Sequence, residues 1–103
     1  MGDKIRLCML LDFYGNLLSE NKKQIMVDYV ENDLSLSEIA SLNGVTRQAA
    51  FDLVKKSEQK LVEYENKLGL LERFLKVKGQ LIDLSDGFDE KQKQKIKKII
   101  ESL

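Results

Sequence analysis

Polar side chains that could recognise a base pair recur along one side of the segment that follows Thr46. If this segment is helical, each residue turns the chain by about 100°. Gln48, Lys55 and Gln59 then lie together, on the side opposite Ala50. The amide of Gln48 offers a donor and an acceptor, which match the major-groove edge of adenine. The predicted chemistry is therefore recognition of DNA.

Eight residues of this segment are candidates for contact with DNA, and one of them carries a negative charge that disfavours binding. A carboxylate at Asp52 is repelled by phosphates unless it accepts from a cytosine amine or pairs with Lys55 or Lys56. Phe51 could contact a thymine methyl group, and basic side chains could hold phosphates or guanine. The alternative is an ordinary solvated helix face without base contacts. The candidates are Thr46, Arg47, Gln48, Phe51, Asp52, Lys55, Lys56 and Gln59.

The residues before this segment predict how it is held in place. Ile39 is expected to be a core contact of a preceding helix, and Ala40 is small where two helices would cross. Gly44 suits a left-handed turn, which a residue without a Cβ adopts most easily. Val45 is expected to fill the corner, and Thr46 to cap the next helix. The core positions after the turn are Ala50, Leu53 and Val54. This register predicts a helix-turn-helix motif.

Helical periodicity without any strand pattern predicts an all-α fold around this motif. One long helix is expected to run from Thr46 toward Gly69. Gly69 or Gly79 could break the chain, because glycine weakens a helix interior. A connector with turn chemistry is expected over residues 81–88. The other expected helices span residues 3–17, 20–32 and 88–102, and a short one, capped by Ser35 or Ser37, ends near Asn43.

An excess of apolar surface predicts self-association. The first helix is apolar on most sides, so other elements or a second subunit would have to cover it. From Leu61 to Leu75 the apolar spacing alternates between three and four residues. This spacing fits either a helix packed on its own chain or a seam between subunits. We expect a helix-turn-helix domain over residues 1–68, a helical extension over 69–103 that could dimerise, and a homodimer.

Charge composition limits how this chain could bind a nucleic acid. The formal net charge of the 103 residues is +0, so a uniformly basic surface is excluded. Residues 46–62 nevertheless carry four basic side chains against two acidic ones. A phosphate backbone would have to be held through such a local patch.

Other composition features exclude several classes of protein. The chain has no His and only scattered Gly, so no catalytic, cofactor or metal site is expected. The single Cys8 is expected to be a buried thiol in a reducing compartment. No apolar run is long enough to span a membrane and no secretory pattern is present, so we expect no membrane insertion and a cytoplasmic location.

Several stretches of the chain resemble known bacterial proteins. Region 4 of bacterial sigma factors is similar to the stretches that begin at Ser19, Leu36 and Gly44, which are SENKKQ, LSEIA and GVTRQA. A closer resemblance is to the YlxM family of small helix-turn-helix proteins. It is carried by DFYGNLLS from Asp12, SLSEIA from Ser35, VTRQA from Val45 and YENKL from Tyr64. The resemblance covers about residues 5–75 and implies a sigma-region-4-like helical fold.

The resemblance also implies a cellular context. Members of this family are encoded beside the signal recognition particle GTPase Ffh and its receptor FtsY. We therefore expect a DNA-binding regulatory protein that takes part in the signal recognition particle pathway and binds DNA through the helix that starts at Thr46. The alternative is an adapter that does not bind DNA and contacts Ffh, FtsY or the particle RNA. Neither expectation includes enzymatic activity.

Overall fold

The computed structural model describes residues 3–103, and every regular element among them is helical, as predicted. The chain divides into two compact units, Met1–Leu68 and Gly69–Leu103. A 3-10 turn, Gly15–Leu17, follows the first helix. The α-helices are α1 (Lys4–Tyr14), α2 (Glu20–Val30), α3 (Leu36–Asn43), α4 (Arg47–Leu68), α5 (Leu70–Leu84) and α6 (Glu90–Glu101).

The first unit is organised around α4, which packs against α1, α2 and α3. Each helix contributes apolar side chains spaced by three or four residues, the spacing that places them on one side. The apolar character of α1 is only partly used in this core, because Ile5 remains 72% exposed. The fully buried side chains of the unit include Leu10, Tyr14, Ile25, Met26, Ile39, Val54 and Leu61.

The first three helices begin at residues whose side chains accept hydrogen bonds from first-turn amides. Asp3 accepts from the N–H of Ile5, and Ser19 accepts from the N–H of Lys22. Ser35 accepts from Glu38, whose carboxylate accepts in return from the N–H of Ser35, so a capping box is present. First-turn N–H groups lack carbonyl partners within the helix, and these caps therefore define where each helix begins.

A buried polar contact links α1 to the C-terminal half of α4. The hydroxyl of Tyr14 donates to Oε1 of Glu65 at 2.5 Å, and only 1% and 7% of the two residues is exposed. Burial of a carboxylate is costly unless hydrogen bonds compensate it, and a bond to a charged acceptor is stronger than one between neutral groups. This contact thus fixes the register of two helices that are far apart in sequence.

The second unit differs from the prediction in its connector. Residues 81–84 belong to α5, which ends at Leu84, and the turn begins only at Ser85. The apolar residues Leu81, Ile82 and Leu84 continue the helical spacing of α5, so the periodicity outweighs the nearby turn residues.

The two candidate glycine breaks behave differently. Gly69 adopts a left-handed conformation at φ +63° and separates α4 from α5. Gly79 continues α5 without interruption. The alternating spacing from Leu61 to Leu75 is therefore not one continuous helical seam.

Three predicted helices are longer than the observed ones. The first helix ends at Tyr14 because the next residues tighten into the 3-10 turn. The second ends at Val30, and Asp33 then takes a left-handed conformation. The last begins at Glu90, because Asp89 is its cap and accepts from the N–H of Gln92.

Candidate nucleic-acid interface

The turn between α3 and α4 has the predicted backbone geometry. Gly44 lies in the left-handed region at φ +63° and ψ +34°. The N–H of Val45 donates to the carbonyl of Ala40 at 3.0 Å, which satisfies a carbonyl at the end of α3. Oγ1 of Thr46 accepts from the N–H of Ala49 at 3.1 Å. The predictions for Gly44 and Thr46 are confirmed.

Two predicted packing positions around this turn need correction. Val45 fills the corner only in part, because 37% of the residue is exposed. Its backbone N–H also holds the turn, through the bond to Ala40. Leu53 is half-buried, although we expected a core position. Ile39 and Ala40 are buried as predicted.

One side of α4 is sealed in the core of the first unit. Ala50, Val54, Ser57 and Leu61 are buried, each with at most 1% of its surface exposed. These positions recur every three or four residues, so their side chains share one side of the helix. The opposite side of α4 must therefore face away from α1, α2 and α3.

The opposite side carries the polar residues that the sequence singled out. Gln48, Asp52, Lys55 and Gln59 are all exposed and recur at helical spacing. We call these four residues the outer face. Of the other candidates, Phe51 is half-buried, and the exposed ones are Thr46, Arg47 and Lys56. All eight are therefore accessible at least in part.

Side chains of the outer face interact with each other and with Phe51. The amide Nε2 of Gln48 donates to Oδ1 of Asp52 at 3.2 Å. This donor is neither the cytosine amine nor the lysine that the sequence analysis considered as partners of the carboxylate. The ammonium of Lys55 lies 5.9 Å from the ring centroid of Phe51, within range of a cation–π contact. Because the amide nitrogen of Gln48 carries two hydrogens, one N–H and Oε1 stay available for an adenine while the other N–H donates to Asp52.

A shallow groove runs along the C-terminal continuation of the outer face. Val62, in this groove, is 41% exposed. Two acidic residues, Glu58 and Glu63, also line it, so the positive charge of this helix is concentrated nearer its start. Glu58, Val62 and Glu63 were not among the candidates predicted from the sequence, because those were chosen for base or phosphate contact and ended at Gln59. The remaining lining residues are Phe51, Lys55 and Gln59.

Cys8 lies outside this interface and beside two carboxylates. Its side chain is half-buried, which corrects the prediction of a buried thiol. Burial raises the pKa of the Cys8 thiol, and the negative charges of Asp12 and Glu31 raise it further. The sulfur and the two carboxylates lie within 4.8 Å of one another. This environment keeps the thiol protonated near neutral pH.

The fold and the exposed face of α4 define the class of this molecule as a helix-turn-helix protein. A short helix, a left-handed glycine turn and a capped second helix make up the motif. The chain belongs to the UPF0122 family, described as "Putative helix-turn-helix protein, YlxM / p13 like", whose model matches residues 1–102.

Curated relatives have the same family name. The UPF0122 protein of Fusobacterium nucleatum is 41% identical over 103 residues, which are 100% of this chain and 97% of that protein. The relative from Clostridium acetobutylicum is 42% identical over 98 residues, with 88% and 84% of the two chains covered. The relative from Malacoplasma penetrans is 50% identical over 72 residues, with 70% and 67% covered. The recognition of the family from the sequence is confirmed.

Within residues 3–103, the helices are too short or too polar for any of them to cross a bilayer.

Proposed function

We propose that this protein is a DNA-binding regulator that inserts the N-terminal half of α4 into the major groove. The observation that carries the proposal is the exposure of Gln48, Asp52 and Lys55 on a helix whose other side is fixed in the core. In helix-turn-helix proteins the second helix of the motif contacts base edges through its first turns. The family description agrees with this class of protein.

The proposal gives the candidate residues separate tasks. Gln48 pairs with adenine, and Phe51 contacts a thymine methyl group. The basic side chains of Arg47, Lys55 and Lys56 hold phosphates or guanine. Thr46 fixes the start of the helix through its capping bond and so sets the depth of insertion. Gln59 extends the same face toward the edge of the duplex.

Asp52 makes the interface selective at the expense of affinity. Its carboxylate repels phosphates, and Gln48 already donates to it. A cytosine amine beside the adenine would give Asp52 a further donor. The proposal therefore favours sites in which an adenine and a cytosine lie close together in the groove.

A mobility-shift assay with the DNA upstream of the protein's own operon tests the proposal. Specific retardation over a scrambled duplex of equal length is expected, and it should weaken as salt is raised because phosphate contacts release counterions. The control is the circular dichroism spectrum of the same sample, which shows that it is folded. Folded protein that retards neither duplex at low salt contradicts the proposal.

We also propose that the protein works as a homodimer. The second unit has 35 residues, fewer than an isolated core usually needs, and α6 buries none of its residues. Ile99 of α6 and Leu103, just after the end of this helix, are 46% and 58% exposed. A second copy would cover these side chains, and two α4 helices would suit a DNA site with two halves.

A second candidate function is that of an adapter in the signal recognition particle pathway. The groove along α4 favours it, because an apolar Val62 between acidic Glu58 and Glu63 suits a protein partner better than a phosphate backbone. The partners would be Ffh, FtsY or the particle RNA, as the family resemblance implies. Under either function the protein acts in the cytoplasm, where the bacterial chromosome and the particle are found.

A pull-down with purified Ffh, FtsY and the particle RNA separates the two functions. The adapter function predicts retention of at least one of the three by the wild-type chain. It also predicts that Val62→Lys, which changes the groove but not the outer face, removes this retention. Absence of binding to all three would exclude the adapter.

A further inference from the structure

A second cleft of the first unit lies between the start of α2 and the middle of α4. Its walls come from the end of the 3-10 turn, from the cap and first turn of α2, and from one flank of α4. We call it the lysine cleft. It is lined by Leu17, Leu18, Ser19, Lys22, Lys56, Ser57 and Lys60.

The charge of the lysine cleft is uniformly positive. Lys22, Lys56 and Lys60 are exposed at its rim, and none of its lining residues is acidic. Glu20, the acidic residue in the first turn of α2, lines a different groove together with Lys23. Three ammonium groups around one concavity repel each other, and a bound anion relieves this repulsion.

The start of α2 adds a further source of positive potential. This helix has 11 residues, and its first N–H groups and its dipole favour an anion at the N-terminal end. Oγ of Ser19 already accepts from the N–H of Lys22. The hydroxyl hydrogen of Ser19 remains available as a donor to a ligand in the cleft.

A buried hydroxyl in the wall gives an independent indication of a ligand. Ser57 is 1% exposed, and its Oγ has no hydrogen-bond partner among residues 3–103. Buried polar atoms are almost always hydrogen-bonded, and a ligand in the cleft would supply the partner that this hydroxyl lacks. Ser57 is also one of the residues that line the lysine cleft, at its buried end, so its hydroxyl is placed to donate to an oxyanion seated there.

The cleft is separate from the outer face of α4. At about 100° per residue, Lys56 and Lys60 lie on a flank of the helix, between the buried side and the side of Gln48 and Gln59. A duplex whose groove receives the outer face places a backbone along each flank of the inserted helix. The lysine cleft is thus in a position for a phosphate and not for a base.

We propose that the lysine cleft binds one phosphate group, supplied by the backbone of the DNA that α4 enters. Lys22, Lys56 and Lys60 neutralise the phosphate, and the hydroxyls of Ser19 and Ser57 donate to its oxygens. This inference rests on the proposed function for the source of the phosphate. The cleft itself, however, can be tested with inorganic phosphate alone.

The first measurement compares the salt dependence of duplex affinity between two double variants of the full chain. Lys22→Gln/Lys60→Gln removes two charges from the cleft and none from the outer face. The matched control, Lys95→Gln/Lys97→Gln, removes two exposed charges from α6. We expect the slope of log affinity against log salt to be shallower by about 1 in the cleft variant only, because one phosphate contact is lost. Equal slopes for the two variants overturn the proposal.

The second measurement separates failure of the cleft from failure of the proposed function. Inorganic phosphate is titrated into the labelled full chain at constant ionic strength, and amide shifts are followed by NMR. Saturable shifts are expected at Lys22 and Ser57, and Ser57→Ala should weaken them. If the wild type binds no duplex, saturable shifts in the cleft still support the phosphate site, although the proposed DNA binding has failed. Shifts that do not saturate, or that spread over all lysines, then reject the site itself.

Discussion

At the scale of single residues, the contact between Tyr14 and Glu65 shows why a carboxylate can lie in the core of this small protein. The phenol donates to the carboxylate at 2.5 Å while both side chains are buried. Removal of the donor would leave a buried charged acceptor with fewer hydrogen bonds, and this costs more than the loss of an exposed bond.

Tyr14→Phe is therefore expected to lower the free energy of unfolding by about 1.5–3 kcal/mol. Urea denaturation at one protein concentration measures this change. Tyr29→Phe is the matched control: its ring contacts the Lys4 ammonium at 4.5 Å from the centroid, and that contact does not need the hydroxyl. An equal loss of stability in the two variants would contradict the assignment.

The environment of Cys8 predicts a thiol that reacts slowly with alkylating reagents. Burial, Asp12 and Glu31 each raise its pKa above the ordinary value, so less thiolate is present at a given pH. Alkylation by iodoacetamide at mildly alkaline pH should be slower than that of an unstructured cysteine peptide. Asp12→Asn should accelerate it.

The raised pKa of Cys8 also makes the folded state lose stability as the pH rises above the ordinary thiol pKa, because the thiol then ionises readily only in the unfolded chain.

Residues differ in how far the sequence could predict them. Gly44 and Thr46 follow local rules of backbone conformation and capping, so their conformations were predictable. The partnership of Tyr14 with Glu65 depends on how α1 packs against α4, and no local pattern encodes it. Lys22 likewise joins Lys60 at one cleft only through the tertiary fold, so the cleft could not be predicted from the sequence.

At the scale of elements, the turn between α3 and α4 sets the angle at which the outer face is presented. Gly44 adopts a left-handed conformation that is strained for other residues, and the N–H of Val45 donates to the carbonyl of Ala40. The prediction of a connector over residues 81–88 was wrong at its start. The turn residues that follow Leu84 led us to predict a turn, although the apolar spacing of residues 81–84 is that of a helix.

Substitution of two glycines by alanine should change stability in opposite directions. Gly44→Ala should destabilise by about 1 kcal/mol or more, because φ is +63° there, although no atom lies close enough to clash. Gly79→Ala should stabilise by roughly 0.5–1 kcal/mol, because this residue is inside α5 with open space around it. Thermal melts followed by circular dichroism measure both. A higher melting temperature for Gly44→Ala would contradict the turn geometry.

At the scale of the whole molecule, a net charge of +0 and a small second unit set the conditions for function. A neutral chain binds a polyanion only through local clusters of positive charge, and α4 carries such a cluster near its start. The exposed apolar side chains of Ile99 and Leu103 give a reason for two chains to associate. Association would also double the number of clusters that meet one duplex.

Sedimentation should therefore show a two-chain species at micromolar concentration. Ile99→Lys/Leu103→Lys places charges on two exposed apolar positions, one in α6 and one just after it, and should shift the protein to a single chain. Gln94→Ala/Lys97→Ala, on the side of α6 opposite Ile99, is the control and should leave the association unchanged. A wild-type protein that sediments as one chain contradicts the dimer.

The central claim is that the outer face of α4 contacts DNA bases. Its most direct test is the affinity of Gln48→Ala/Lys55→Ala for the DNA upstream of the protein's own operon, measured by fluorescence anisotropy. Loss of a base contact is worth about 1–3 kcal/mol, so we predict an affinity at least about fivefold weaker than that of the wild type. The matched control, Gln94→Ala/Lys97→Ala on α6, should bind like the wild type. Equal affinities for the wild type and the outer-face variant would contradict the account.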